Sequence, residues 1–177
     1  MGMLNIDKFG MKNDIKIGEI IEKVIMDKDR LFLRLKDIAH FLGVDVATIY
    51  IYDEFRKELI LWCSYGLDKA SWGTRIPISR GLVGKCAREM KPISVKEPYR
   101  HPDFYYVPGS GEEKYQSFLA IPIVRNGDLL GIFVVQTIEM KFFLSHEIKF
   151  IWSNAEKFIT EIFSFLKQKN KKEGGEW

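Results

Sequence analysis

Apolar positions recur at helical spacing near both ends of the chain and in strand-like runs between them. Ile17, Ile20, Ile21, Val24 and Ile25 fall three and four residues apart, and after the polar break Asp27-Lys28-Asp29 the spacing resumes with Leu31, Phe32, Leu35, Ile38, Ala39 and Leu42. The pattern predicts one broken helix or two short ones. Asp29 is placed to cap the second piece, and Gly43 to close it in a left-handed conformation. Residues 44–52 are rich in β-branched and aromatic side chains, and residues 59–65 answer them across the polar stretch 53–57, which predicts a first hairpin. Ile76-Pro77-Ile78 reads as extended, and residues 81–89 as a helix opened by Gly81. Residues 91–95 read as an edge strand, because Pro92 is tolerated only where no ladder bond is needed. Ser145 is placed to cap a long last helix carrying Ile148, Ile151, Trp152, Ala155, Phe158, Ile159, Ile162, Phe163 and Leu166 at three- and four-residue spacings.

Asn126-Gly127 separates two apolar runs and predicts a two-residue type I′ turn. Counting outward from it, Arg125 faces Asp128, Ile123 faces Leu130, Pro122 faces Gly131, Ile121 faces Ile132, Leu119 faces Val134 and Ser117 faces Gln136. The second strand of this hairpin has no polar side, since Leu129, Leu130, Ile132, Phe133, Val134 and Val135 are all apolar. It therefore belongs at the centre of a sheet covered on both faces. Two hairpins with helices at both ends give an α+β fold: an antiparallel sheet of five or six strands, the terminal helices on one face, and the short helix with a long loop on the other.

That long loop holds the candidate chemistry. Residues 96–116 contain three prolines, two glycines, a histidine, a phenylalanine and four tyrosines, and loops of this length with such aromatic content are functional more often than disordered. His101 is either a hydrogen-bond donor at the lip of a pocket or an anchor for its own loop. Phe104 and Tyr115 either close over a ligand or pin the loop locally, and Ser117 with Gln136 either orients a ligand or satisfies only itself. Tyr50 and Trp62 in the first hairpin point either into the same cavity or into the helix-packed core.

Composition narrows the function classes. With 177 residues, 46% of them hydrophobic, the chain is one compact domain over residues 15–168, with a flexible arm at 1–14 and a charged tail at 169–177. The net charge is +3, and residues 167–177 supply +2 of it through four lysines against two glutamates. No basic stripe marks a nucleic-acid binder. No leader pattern and no apolar run of eighteen appears, so the expected location is cytoplasmic, away from membranes. Three scattered histidines and two cysteines predict neither a metal site nor a cofactor.

The motifs Gly81-Leu82-Val83-Gly84, His101-Pro102-x-Phe104, Gly111-Glu112-Glu113-x-Tyr115-x-Ser117-Phe118-Leu119-x-Ile121-Pro122-Ile123 and Leu130-Gly131-x-x-Val134-Val135-Gln136, in this order and spacing, resemble a GAF domain. Within that family they are similar to the amino-terminal GAF domain of the nitrogen-related paralogue of phosphotransferase enzyme I. The resemblance implies a PAS/profilin-like fold and a non-catalytic sensor of a cytoplasmic metabolite, an amino acid such as glutamine or a 2-oxo acid such as 2-oxoglutarate. It also implies homodimerisation through the terminal helices. The surplus apolar width there nominates Ile17, Ile21, Val24, Trp152, Phe158, Ile162 and Phe163 for the interface. The phosphotransfer domains of that family have no counterpart in 177 residues. Two other readings stay open: a dimerisation module with an empty pocket, and a free methionine sulfoxide reductase, for which Cys86 with Cys63 is the available thiol pair.

Overall fold

The computed structural model describes residues 3–4, 15–16, 28–106 and 111–173, with side chains described for 29–106 and 111–162. In chain order the elements are α1 (Lys28–Leu42), β1 (Val46–Asp53), β2 (Glu58–Tyr65), β3 (Arg75–Pro77), α2 (Gly81–Glu89), β4 (Ile93–Lys96), β5 (Ser117–Arg125), β6 (Asp128–Thr137) and α3 (Ser145–Glu173). These six strands form one sheet in the order β3-β2-β1-β6-β5-β4, antiparallel throughout. The expected layering holds. Leu31, Leu35 and Ile38 of α1 share one core with Ile151, Phe158 and Ile159 of α3, and Leu82, Val83 and Cys86 of α2 help form a second core across the sheet. Strand β6 lies near the middle and is covered twice, Phe133 and Val135 facing the helix pair and Ile132 and Val134 facing α2.

Local sequence chemistry accounts for the boundaries. Gly43, at φ +61°, ends α1 with the Val44 N–H donating to Ala39 O at 2.9 Å and the Gly43 N–H to His40 O at 3.3 Å, the paired bonds of a Schellman close. Asn126 and Gly127 both take positive φ, as a type I′ turn requires. Asp29 lies inside the first turn of α1, where it meets the positive end of the helix dipole instead of capping it. Ser145 is the first residue of α3 instead of its cap, and Glu147 reaches back from the first turn to the residue before the helix: its Oε2 accepts the Leu144 N–H at 2.9 Å while its Oε1 pairs with Lys141 Nζ at 2.9 Å. Met3–Leu4, the described part of residues 1–14, pairs antiparallel with Ile15–Lys16 in a separate two-stranded sheet.

Burial pushes the Glu147 carboxyl up, but the Leu144 N–H and the Lys141 ammonium outweigh it and hold the group below the usual carboxylate range. A carboxyl with a depressed folded pKa contributes stability that is present above its unfolded pKa and is lost as pH falls through the folded one. Glu147→Ala is therefore expected to cost about 1 kcal/mol at neutral pH. The gap from the parent should close under acid. Calorimetric melting from pH 7 to pH 3 checks this, and a gap that stays constant at the acid end would refute it.

The predicted register of the second hairpin needs one correction. Val124 pairs with Leu129 but Ile123 pairs with Gly131, so Leu130 is an extra residue, a β-bulge, and every pair beyond it is displaced by one. Ser117 consequently faces Thr137, and Leu119 faces Val135. The bulge sits beside a close approach of backbones. A Cβ on Gly131 would press into the Tyr50 carbonyl oxygen of β1 and lie 2.9 Å from Ile159 Cδ1 of α3, so the strand is pinched between its neighbour and the helix above it.

The interface expected along the terminal helices also changes. Phe158 is fully buried and Ile162 is 6% exposed, both within the core that α3 forms with α1 and the sheet. Trp152 remains outside, 37% exposed. Ile17, Ile21, Val24 and the side chain of Phe163 lie outside the described residues.

Candidate functional site

On the α2 side, the sheet and the loop before β5 enclose a cavity. Its floor is Tyr50 from β1, Phe118 from β5 and Val134 with Gln136 from β6; the first turn of α2 forms a wall, and Phe104, Tyr105 and Glu112 roof it. It encloses about 30 Å³, room for about two waters. Small-molecule sites commonly run to roughly 300–1,000 Å³.

Three polar side chains meet among these apolar walls. Gln136 is 2% exposed and its Nε2 donates to Glu112 Oε1 across 3.5 Å, a long bond. Burial, and after it the Glu112 charge, pushes the Tyr50 phenol far above its ordinary range, which keeps it a neutral hydroxyl. Arg80 gives α2 no side-chain cap, so the positive end of the helix faces this side of the domain with no carboxylate of its own. The cavity thus joins a carboxylate, an amide, a hydroxyl and a helix terminus, a set able to orient a small polar molecule.

The sequence-predicted candidates divide between the two faces. Tyr50, Phe104 and Gln136 come together in the cavity. Ser117 does not join them: after the bulge it shares the side of Leu119 and Ile121, where its Oγ accepts the Lys141 N–H at 2.7 Å and anchors the connector to α3. Trp62 likewise belongs to the helix-side core, at a second bulge where Ile49 pairs with Cys63 but Tyr50 pairs with Leu61. His101 turns Nδ1 toward its own loop, accepting the Asp103 N–H at 3.1 Å. Tyr115 is 2% exposed and does not line the cavity; burial first, then Glu112 and Asp45, push its hydroxyl up to about 12. Glu112 was a motif residue without a role in the sequence. The signal for it is an acidic side chain directly after Gly111, which takes positive φ at the start of a short 3₁₀ turn.

Neither thiol is arranged for redox work. Cys86 is fully buried, its Sγ donates to Lys91 O at 3.2 Å, and burial pushes it up to about 12. Cys63 lies in the core on the opposite side of the sheet. A wider depression of about 500 Å³ beside Asp45, Glu139 and Lys141 is open to solvent, and two of its three ionic groups are engaged: Asp45 accepts the Ile138 N–H, and Lys141 donates to Leu42 O and pairs with Glu147. Among the described residues no group of three or more His, Cys, Asp and Glu gathers to hold a metal, and no helix is long and apolar enough to cross a membrane.

The fold recurs in known proteins. The phosphoenolpyruvate-dependent phosphotransferase system protein of Escherichia coli strain K12 is 31% identical over 118 residues, which cover 64% of this chain and 16% of that protein. The chain thus spans about a sixth of the length of the curated relatives it matches. The solved GAF domain of a phosphoenolpyruvate-protein phosphotransferase from Coxiella burnetii superposes with a TM-score of 0.68 at 26% identity, covering 87% of this chain and 94% of that one. At the level of fold alone, free methionine-R-sulfoxide reductase from Neisseria meningitidis, solved with its substrate, gives a TM-score of 0.61 at 20% identity, over 84% of this chain and 86% of that one. The GAF domain family model matches residues 26–158, a span that runs from just before α1 through the whole sheet and into α3. Sequence and architecture coincide over that span, and the chain belongs to the GAF domain family.

Proposed function

We propose that this chain is the sensory domain of a phosphotransferase-type regulator, that it binds a small amine-bearing metabolite without transforming it, and that it associates with a second copy through its helical layer. The observation that carries the reading is the Glu112–Gln136–Tyr50 group in an otherwise apolar cavity. A carboxylate there attracts an ammonium and repels a dicarboxylate, so an amino acid fits better than a 2-oxo acid. The buried, high-pKa Cys86, with Cys63 across the sheet, supports a domain that performs no thiol chemistry. For association, Leu33 and Phe41 of α1 and Trp152 of α3 are exposed, Phe41 at 72% and tilted against Phe150 with ring centroids 4.5 Å apart.

Thermal melting with the amino acids and common 2-oxo acids at millimolar concentration tests the binding. A ligand at about 100 times its dissociation constant is expected to stabilise the fold by roughly 2.7 kcal/mol, or a rise of about 5–10 °C for a domain of this size. Glu112→Gln and Gln136→Leu should each abolish the rise and leave the unliganded melting point close to the parent's. The small cavity volume favours a second reading, a dimerisation module whose pocket is filled by its own Phe104 and Tyr105. No shift with any metabolite would install it.

A further inference from the structure

The roof of the cavity is tied down through one element. Lys85 Nζ of α2 and Asp103 Oδ2 of the loop are 2.8 Å apart, with side chains 29% and 41% exposed. The segment that bears Asp103 is a small stiff unit, because the Asp103 N–H donates to His101 Nδ1 at 3.1 Å and the Phe104 N–H to His101 O at 2.9 Å. Pulling on the Asp103 carboxylate therefore pulls on Phe104 and Tyr105, the two aromatic roof residues. Tyr105 is docked on the same helix from its other end. Its Cβ lies 3.1 Å from where a Cβ on Gly81 would be, and the Arg80 guanidinium stands 5.4 Å from its ring centroid. Beneath this roof the cavity of about 30 Å³ holds only about two waters.

A metabolite of amino-acid size needs several times that volume, so the aromatic roof must lift before anything enters. We propose that the Lys85–Asp103 ion pair is the latch of a gate, holding residues 101–106 shut on α2 and setting how often the cavity opens. The proposal rests on the reading of this cavity as the binding site. A half-exposed ion pair is weak and salt-sensitive. That suits a latch, which has to release in the course of binding. Because only the open form admits a ligand, the apparent affinity falls in proportion to the open fraction, and loosening the latch tightens binding.

Hydrogen exchange of the intact chain, read by mass spectrometry with no metabolite added, tests the latch directly. In Asp103→Asn and in Lys85→Met, peptides spanning residues 98–106 are expected to exchange about three times faster than in the parent, the change in opening equilibrium that a half-exposed ion pair supports, while peptides from β5 and β6 keep parental rates. The charge-exchanged pair Lys85→Asp with Asp103→Lys should restore protection to within about 1.5-fold of the parent. Raising salt from about 20 mM to 500 mM should accelerate exchange of 98–106 in the parent and leave Asp103→Asn unaffected. Unchanged exchange in the single variants overturns the proposal. So does acceleration spread over β5 and β6, or a charge exchange that fails to restore protection. These outcomes are independent of the melting screen: a screen with no hits and a responsive latch removes the metabolite assignment, whereas hits with an unresponsive loop remove the latch alone.

Discussion

Gly131→Ala is expected to cost about 3–5 kcal/mol and lower the melting point by on the order of 10 °C. The added methyl has nowhere to go. On one side it meets the Tyr50 carbonyl oxygen, a backbone atom fixed by the β1–β6 pairing of Ile51 with Gly131 and Tyr50 with Ile132. On the other it meets Ile159, which is fully buried in α3. Ile159 has some rotamer freedom, but the carbonyl has none without breaking the ladder, and the bulge at Leu130 already fixes the local path of β6. Circular dichroism melting of the alanine variant measures the effect. A melting point within 2 °C or so of the parent would mean that β1 and β6 separate freely at this point, and the pinched seam described above would be wrong.

Phe158→Ala is expected to cost about 3–5 kcal/mol at every protein concentration. Phe158 is fully buried, lies 6.1 Å from Phe133 in a stacked arrangement, and carries the Arg34 guanidinium 4.4 Å above its other face. Removing the ring leaves a cavity between α1, α3 and the sheet that the packed neighbours fill only partly. A residue of the proposed helical interface should behave differently. Trp152→Glu, together with Phe41→Glu, should leave melting of the monomer near the parental value and abolish self-association in sedimentation at micromolar concentration. If Phe158→Ala left the melt unchanged and only dissociated the protein, the assignment of that side chain to the core would fail.

The contrast between these two residues shows where the sequence was readable. Helical spacing located α1 and α3, Gly43 fixed the end of α1 and Asn126-Gly127 the turn between β5 and β6, because each position demands a backbone geometry that few residues supply. The division of the apolar face of α3 was not readable. Its width was visible, but how much of it a sheet and a second helix consume depends on the curl of the sheet, and Phe158 and Ile162 are used inside the domain. The bulge was hidden for a related reason. Register is betrayed by alternation, and a strand apolar on both faces has none, so Leu129-Leu130-Gly131 carries no mark of which leucine is the extra one. That single residue separates Ser117 from Gln136 and places them on opposite faces of the sheet. Glu112 sits in a loop with no period at all, and only the path of that loop over the cavity gives it a partner in Gln136.

Both borders of the sheet are blunt. At one, β3 is three residues long and ends in Pro77; at the other, β4 is four residues long, follows Pro92 and ends in Lys96. A border this short offers a foreign strand few free amide and carbonyl groups, proline removes a donor, and a lysine resists being enclosed. Growth of the sheet from one molecule into the next is thereby discouraged, although the interior strands are among the most apolar segments of the chain. Protection from cross-strand aggregation is built into the two least conspicuous strands, so the proposed association through the helical layer need not compete with strand addition at either border.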